Sequence, residues 1–203
     1  MKFFRKLFGT PKKEESPSGF FLVASLNEKI MPVDRGVVYE DPLEHYLQEN
    51  ELGEISGGGT MQMANGEIEY VDIEIHLFDD QPSMAHVELV VKKLEELGAP
   101  KGSRLRADFR NESYAFGQRE GIGIYLDGQN LPDEVYQQSN INDVVAELQQ
   151  AIGQEGELIR YWEGAEETAL YFYGDSFEKM KQQTAGFLSY YPLCQGARVV
   201  QLA

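Results

Sequence analysis

The sequence has few of the residue types on which covalent cross-linking and catalysis usually depend. Among 203 residues it has one cysteine, one tryptophan and three histidines. Because Cys194 is alone, the chain cannot form an internal disulfide, and a disulfide-stabilised secreted scaffold is excluded. The histidines show no metal-ligand spacing, and no Gly-x-Ser-x-Gly nucleophile motif occurs. These absences favour a non-enzymatic protein without a cofactor, although they leave an enzyme open.

Long hydrophobic runs are also absent. No apolar stretch approaches the roughly 20 residues that span a bilayer, and the N-terminal apolar stretch is too short for a secretory signal. Hydrophobic residues make up 42% of the chain and include 11 phenylalanines and 11 tyrosines, which is ample for a core. We therefore expect a soluble protein located in the cytoplasm.

Basic residues are scarce relative to acidic ones. The chain has 18 lysines and arginines against 34 aspartates and glutamates, a net charge of −16. Five of the basic residues lie in the first 13 positions, so the remainder has 13 basic against 34 acidic residues, or −21. Such a surface repels nucleic acid and favours a basic protein partner. Acidity that only keeps the protein soluble explains the same composition.

The first 19 residues differ from the rest of the chain in composition. Phe3, Phe4, Leu7 and Phe8 alternate with basic residues in a way that would suit one face of a short helix at an anionic membrane surface. Two turns of helix are marginal in water, so a tail packed on its own domain or a mobile tail is the alternative. We expect at most weak membrane contact through residues 1–13, followed by a linker.

Two stretches of the chain share a strand-helix-strand pattern. Residues 170–200 contain an apolar strand, an amphipathic helix and a second strand, and residues 77–107 repeat this order. The similarity extends backwards with an offset of about 100 residues, set by matches such as Leu26 with Leu126, Pro32 with Pro132 and Gly53 with Gly153. Chance spacing of common turn residues is the competing explanation.

Each half is predicted to have the order βαββαβ, which resembles a ferredoxin-like unit with two helices on one face of an antiparallel sheet. We therefore predict an α+β fold built by tandem duplication of this unit, with pseudo-twofold symmetry. The predicted divisions are a tail and linker at 1–19, a first repeat at 20–112 and a second repeat at 113–203. The oligomeric state does not follow from these patterns.

Capping residues predict where the helices begin. Asp41 is expected to cap a helix that starts at Pro42 and ends just before Gly53. Residues 79–83 are expected to cap a second helix, which ends at Gly98 and Pro100. Ser139 or Asn142 is expected to cap the next helix. Asp175 is expected to cap the last one, with Glu178 as its reciprocal partner.

Two glycine-containing segments of the first half indicate strands and a turn. Asn65-Gly66 predicts a hairpin turn. The run at residues 57–59 could cradle an anion, but it lacks the lysine and the following helix of a phosphate loop. An irregular strand or a close backbone approach is the preferred interpretation.

Three polar residues alternate with apolar ones on the strand that follows. Asp72, Glu74 and His76 should lie in a row on one face, where they could bind a metal ion. The solvated face of a half-buried antiparallel strand would look the same. Arg104, Arg106 and Asp108 alternate in the same way on another strand, so ion pairs between strands could also use these groups without a metal. We favour these alternatives over a metal site.

The aromatic residues of the second half are concentrated in one predicted hairpin. Tyr161, Trp162, Tyr171 and Tyr173 could form an interface for a partner or the wall of a ligand cleft between the repeats. Core packing between the two halves explains the cluster equally well. The long connections at residues 27–40 and 129–140 are further candidate binding elements.

Two functional hypotheses follow from these patterns. The first is a non-enzymatic acidic cytosolic protein that binds a basic protein partner, as an inhibitor or immunity-type factor would. The second is a small-molecule-binding protein or enzyme with its site in the cleft between the repeats.

Overall fold

A computed structural model describes residues 19–203 of the chain as an α+β fold with two antiparallel sheets. The predicted tail, with the membrane contact expected at residues 1–13, lies outside the described residues. Within the described part, no helix is long and apolar enough to cross a membrane.

The first sheet has five strands in the order β2-β3-β1-β4-β5. All neighbouring strands in it are antiparallel. Its strands are β1 (Phe20–Leu26), β2 (Gly53–Gln62), β3 (Ile68–Leu77), β4 (Ser103–Ala107) and β5 (Ser113–Phe116).

The second sheet has four antiparallel strands in the order β7-β8-β6-β9. Its strands are β6 (Glu120–Asp127), β7 (Gly156–Glu163), β8 (Glu167–Gly174) and β9 (Arg198–Gln201). If β5 is set aside, the two sheets have the same order relative to the chain, because the first strand of each lies between the third and the fourth.

The helices lie in the connections predicted for them. The α-helices are α1 (Pro32–Arg35), α2 (Asp41–Glu49), α3 (Met84–Glu96), α4 (Asp133–Gln138), α5 (Ile141–Ile152) and α6 (Phe177–Tyr190). Short 3-10 turns follow α5 and α6.

Each sheet has a hydrophobic core between one of its faces and two helices. In the first half Leu43 and Leu47 of α2 pack with Val87, Val90 and Leu94 of α3 onto β1 and β3. In the second half α5 and α6 cover β6 and β8 in the same manner. The helical stripes predicted from apolar spacing therefore face these cores, as expected for amphipathic helices.

An irregularity of strand pairing occurs at the same place in both sheets. In the first sheet three regular pairs, beginning with Gly53 opposite Leu77, are followed by a bulge between Ile55 and Gly57. In the second sheet three regular pairs, beginning with Gly156 opposite Gly174, are followed by a bulge between Leu158 and Arg160. The glycine run at residues 57–59 thus lies in an irregular strand, as the sequence predicted.

The predicted start of the first long helix was wrong. Helical backbone begins at Pro32 and continues through a π-helical turn, Gly36–Glu40, into α2, so Asp41 is not a cap. The Arg35 side chain bonds to Glu40 at 2.7 Å and to the carbonyl of Gly59. These bonds tie the helical turn to the edge strand β2, which apolar periodicity alone does not reveal.

Two predicted caps in the second half are shifted. Ser176, and not Asp175, caps α6, because its hydroxyl accepts from the Lys179 amide. The side chain of Asn140 caps α5, where Ser139 or Asn142 was expected. Each predicted cap is within two residues of the observed one, so the predicted positions of these two helices are confirmed.

Strand β5 was not predicted. Residues 113–116 pair with β4, so the first sheet extends beyond the predicted boundary between residues 112 and 113. Ser113, Tyr114 and Phe116 alternate too briefly to stand out as a strand in the sequence.

Candidate functional site

The four aromatic residues singled out in the sequence lie on two different faces of the second sheet. Trp162, Tyr171 and Tyr173 are buried together with Tyr125 on the face away from α5 and α6. Tyr161 lies opposite Leu170, whose side chain belongs to the helix-covered core, and it is 64% exposed. Successive strand residues point to opposite faces, which separates Tyr161 from its neighbour Trp162.

The buried aromatic face of the second sheet packs against the first half. The Tyr173 hydroxyl accepts from the Lys29 amide at 3.1 Å, and the Tyr125 hydroxyl donates to Glu67 Oε1 at 2.8 Å. The side-chain amide of Asn27 donates to the Leu202 carbonyl at 3.0 Å. We call this contact region the inter-sheet interface. It fits the expectation of packing between the halves.

A carboxylate at the interface is stabilised in its charged form. The Lys29 ammonium lies 3.4 Å from Glu67 Oε1, beside the Tyr125 hydroxyl. Burial alone would raise the pKa of Glu67, but these hydrogen-bonding and charged neighbours together hold it below its usual value. Burial also raises the pKa of the Tyr125, Tyr171 and Tyr173 hydroxyls, so they remain protonated.

A second carboxylate at the interface, that of Glu28, has a raised pKa, in contrast to Glu67. Glu28 is 1% exposed, and burial raises its pKa to about 7 despite the nearby Tyr39 hydroxyl and the Arg119 charge. Glu28 Oε2 and the Tyr39 hydroxyl lack a partner in good hydrogen-bonding geometry within residues 19–203. Arg119 is engaged elsewhere, with Glu157 at 2.8 Å and the Tyr173 carbonyl at 2.7 Å.

A groove lies at the end of the second sheet where β6 and β7 finish. It has a volume of about 630 Å³. Its apolar lining comes from the sheet, from α5 and from the turn after α6: Leu126, Ile141, Val145, Leu170 and Leu193. Tyr161 and Glu163 stand at its edge, two residues apart and therefore on one face of β7. We call this site the Tyr161 groove.

The charges that line the Tyr161 groove are negative. Glu167 is neutralised by Arg198 through bonds of 2.7 and 2.9 Å. Asp127 accepts from the amides of Gln129 and Asn130, and these hydrogen bonds lower its pKa. Glu163 is exposed and forms no ion pair within the described part of the chain.

This combination of groups suits a cation with an apolar body. An aromatic ring attracts a cation placed over its face, and a carboxylate two residues away adds an ionic partner. Within residues 19–203 no lysine or arginine lines the groove. An anionic ligand would find no charged partner there.

The residues predicted as metal ligands are distributed along β3. Asp72 accepts a hydrogen bond from Ser25, Glu74 is exposed beside Gly57, and His76 is buried against Phe21 with stacked rings 4.6 Å apart. Among residues 19–203 no group of three acidic, histidine or cysteine residues could hold a metal ion.

The predicted ion pairs of this row with Arg104 and Arg106 are not formed within residues 19–203. Strand β1 lies between β3 and β4, so Ser25 separates Asp72 from Arg104. Arg104 instead donates to the Ser113 hydroxyl at 2.8 Å. The sequence shows which residues share a face but not which strands are neighbours.

Two residues of these sites were missed in the sequence. Glu28 lies in a connection that looks solvent-exposed, and Glu163 is one of many acidic residues. The position of Glu163 could have been predicted, because it is two residues from Tyr161 on a predicted strand and therefore lies on the same face. For Glu28 the burial depends on the second sheet and left no local pattern.

Comparison with protein-family models and with curated proteins finds no match. Several solved structures align with this chain over most of its length, three of them with TM-scores of 0.28 to 0.29. They include an unknown protein from Galdieria sulphuraria, 9% identical over 90% of this chain and 96% of that chain, with a TM-score of 0.28. A putative monooxygenase from Lactobacillus acidophilus is 13% identical over 92% and 95%, with a TM-score of 0.29. A putative glycine cleavage system transcriptional repressor is 7% identical over 90% and 95%, with a TM-score of 0.29. Likeness at this level supports no conclusion about function.

Proposed function

We propose that this protein is a non-enzymatic, acidic, cytoplasmic binding module for a basic protein partner, as an inhibitor or immunity-type factor would be. The observation that carries the proposal is the Tyr161 groove, in which an exposed tyrosine and an unpaired carboxylate stand over an apolar floor. A lysine or arginine side chain of the partner would place its charge between Tyr161 and Glu163. Its aliphatic stem would pack on Ile141 and Val145, which line the groove and are accessible.

The overall charge supports the same class of partner. Residues 19–203 contain 32 acidic and 13 basic residues. Long-range attraction of this size increases the rate at which a basic protein is encountered, while the groove supplies the local contact. The interaction should therefore weaken as salt screens the exposed charges.

We further propose that the chain arose by tandem duplication of a ferredoxin-like βαββαβ unit. The common strand order and the bulge after the third pair of each outer hairpin support this proposal. A bulge is a specific local feature, so its recurrence at one register is more informative than recurrence of a helix. In this proposal the partner site belongs to the second unit alone.

Titration of a lysine-rich peptide into the full chain tests the proposed site. Replacing Tyr161 by alanine should weaken binding by about tenfold, equivalent to about 1.4 kcal/mol. Glu163→Gln should weaken it by a few-fold and reduce its salt dependence. Tyr190→Ala is the matched control, because Tyr190 is 69% exposed and does not line the groove. Equal affinities of Tyr161→Ala and Tyr190→Ala would contradict the proposal.

A small-molecule ligand is the second candidate function. The volume of the Tyr161 groove lies within the range of about 300 to 1,000 Å³ that is usual for ligand sites. The ligand would be an amine with an apolar body, and phenethylamine is a suitable probe. Phenethylamine binding that depends on Tyr161, in a chain that does not bind the peptide, would favour this candidate. Its site would then lie within the second half, rather than in the cleft between the halves where the sequence suggested it.

A further inference from the structure

The open face of the first sheet carries arginines that the acidic residues leave unpaired. Seven arginines lie in the described residues, and Arg35, Arg119 and Arg198 each pair with a glutamate. Of the other four, Arg104, Arg106 and Arg110 are exposed on β4 and just after it. Within residues 19–203 none of these three has a carboxylate at ion-pair distance. Their isolation is notable because acidic residues outnumber basic ones by more than two to one.

Two depressions meet at these arginines. One, of about 350 Å³, is lined by Arg104, Arg106, Ser25 and Tyr70, and the other, of about 380 Å³, is lined by Arg106 and Arg110. Arg106 and Ser113 line both of them. Arg104 and Arg106 are two residues apart on one strand, so their side chains leave the same face about 7 Å apart.

A hydroxyl donor lies between the two guanidinium groups. Ser113 lies opposite Arg106 in the pairing of β4 with β5, and its hydroxyl accepts from Arg104 Nε at 2.8 Å. Because that bond uses an oxygen lone pair, the hydroxyl proton stays available for donation to a ligand. The Nη groups of Arg104 and the whole guanidinium of Arg106 also remain available.

We propose that this face binds a phosphate monoester of low molecular mass. Two guanidinium forks and a hydroxyl converge from different directions, which suits the several oxygens of a phosphate better than one planar carboxylate. Tyr70 lines the same depression and offers a surface for the organic part of the ligand. The site is independent of the Tyr161 groove, which lies on the second sheet, so either can fail without the other.

Acidic residues near this face limit how strongly it can bind an anion. Asp72 is bound to the Ser25 hydroxyl, and Asp108 accepts from the Phe21 amide at 2.9 Å. Glu69 and Glu112 line the margins of the depressions without pairing to the arginines. They oppose anion binding through screened repulsion. The two guanidinium groups attract a doubly charged phosphate more strongly than a singly charged acetate, so phosphate should bind more tightly than acetate.

Titration of the full chain with phenyl phosphate, followed by calorimetry at low salt, tests the proposal. Arg104→Gln and Arg106→Gln should each weaken binding at least about tenfold, and Ser113→Ala a few-fold. Lys92→Gln is the control, since Lys92 is exposed on α3, away from these depressions, and pairs with Glu96. Arg104, Arg106 and Lys92 are exposed, and a thermal melt of each of their variants should match the wild type.

Three outcomes would overturn the proposal. Phenyl phosphate could fail to bind, or Arg104→Gln and Arg106→Gln could bind it as tightly as Lys92→Gln does. A phosphotyrosine peptide that binds more than about tenfold tighter than phenyl phosphate would indicate that the ligand of this face is a protein.

The contribution of Tyr70 can be measured separately. Inorganic phosphate should bind more weakly than phenyl phosphate, and Tyr70→Ala should remove this difference.

Discussion

Apart from β5, the two sheets have the same strand order and share a bulge position, but their faces away from the helices differ in accessibility. In the first sheet the face away from the helices remains accessible and carries Asp72, Glu74, Arg104 and Arg106. In the second sheet the corresponding face is aromatic and buried against the first half. Topology therefore determines the position of a residue, while side-chain chemistry determines whether that position becomes core or surface.

The register identifies pairs of equivalent positions in the two sheets. The first pair beyond the bulge joins Gly57 with Glu74 in one sheet and Arg160 with Tyr171 in the other. Glu74 is exposed and Tyr171 is fully buried. Such pairs allow the comparison to be tested by matched substitutions.

The largest difference is expected at Tyr171 and Glu74. Tyr171→Ala removes a buried ring from the inter-sheet interface and should lower the free energy of unfolding by about 3 to 5 kcal/mol. Glu74→Ala changes an exposed side chain and should stay within about 0.5 kcal/mol. Urea unfolding of both variants measures the difference. Similar costs at the two positions would contradict the assignment of the faces.

The next largest effect is a pH dependence of the free energy of unfolding, which should come from the first half alone. Glu28 has a pKa of about 7 when folded and an ordinary value of 4.5, so the folded state holds more protons between these pH values. The free energy of unfolding should therefore fall as pH rises from about 4.5 to about 7, by up to about 3 kcal/mol. This contribution is fully present below pH 4.5 and is lost above pH 7.

Glu28→Gln should remove that dependence, because an amide does not titrate in this range. The position equivalent to Glu28 in the second half is Gly128, which has no such group. Urea unfolding at a series of pH values measures the effect, and Glu163→Gln serves as the exposed control. If Glu28→Gln keeps the wild-type slope between pH 5 and pH 7, the buried carboxyl is not its source.

The smallest effect concerns the serines that precede α3 and α6. The Ser176 hydroxyl accepts from the Lys179 amide, whereas Ser83 makes no cap bond and contacts His86 Nδ1 at 3.1 Å. Ser176→Ala should lower the free energy of unfolding by about 1 kcal/mol and Ser83→Ala by about 0.5 kcal/mol or less. Urea midpoints measure both. A larger loss for Ser83→Ala than for Ser176→Ala would contradict this account, because α3 would then depend on its preceding serine more than α6 does.

The local elements of the fold follow from the sequence more directly than its contacts do. Apolar spacing correctly predicts that Val87, Leu94, Met180 and Phe187 face cores, because a helix repeats its faces with a fixed period. Caps are less certain, since Asp175, Ser176 and Asn140 all have suitable side chains and only the backbone geometry selects among them. The helical turn that begins at Pro32 depends on Arg35 reaching strand β2, which is a tertiary contact.

The candidate site was only partly predictable. Alternation on β7 separates Tyr161 from Trp162, so the division of the aromatic cluster into two faces could have been read from the sequence. The burial of Glu28 could not, because it depends on how the second sheet packs on the first. The same holds for Arg104 and Asp72, whose separation follows from the order of the strands.

Accessibility of Trp162 tests the central difference between the two sheets most directly. It is the only tryptophan of the chain and is 8% exposed in the inter-sheet interface. Quenching of its fluorescence by acrylamide should be several-fold weaker in the native protein than in urea. Addition of a lysine-rich peptide, which is expected to bind at Tyr161 on the opposite face, should leave the quenching unchanged. A native protein whose tryptophan is quenched as readily as in urea would contradict the burial of this face against the first half.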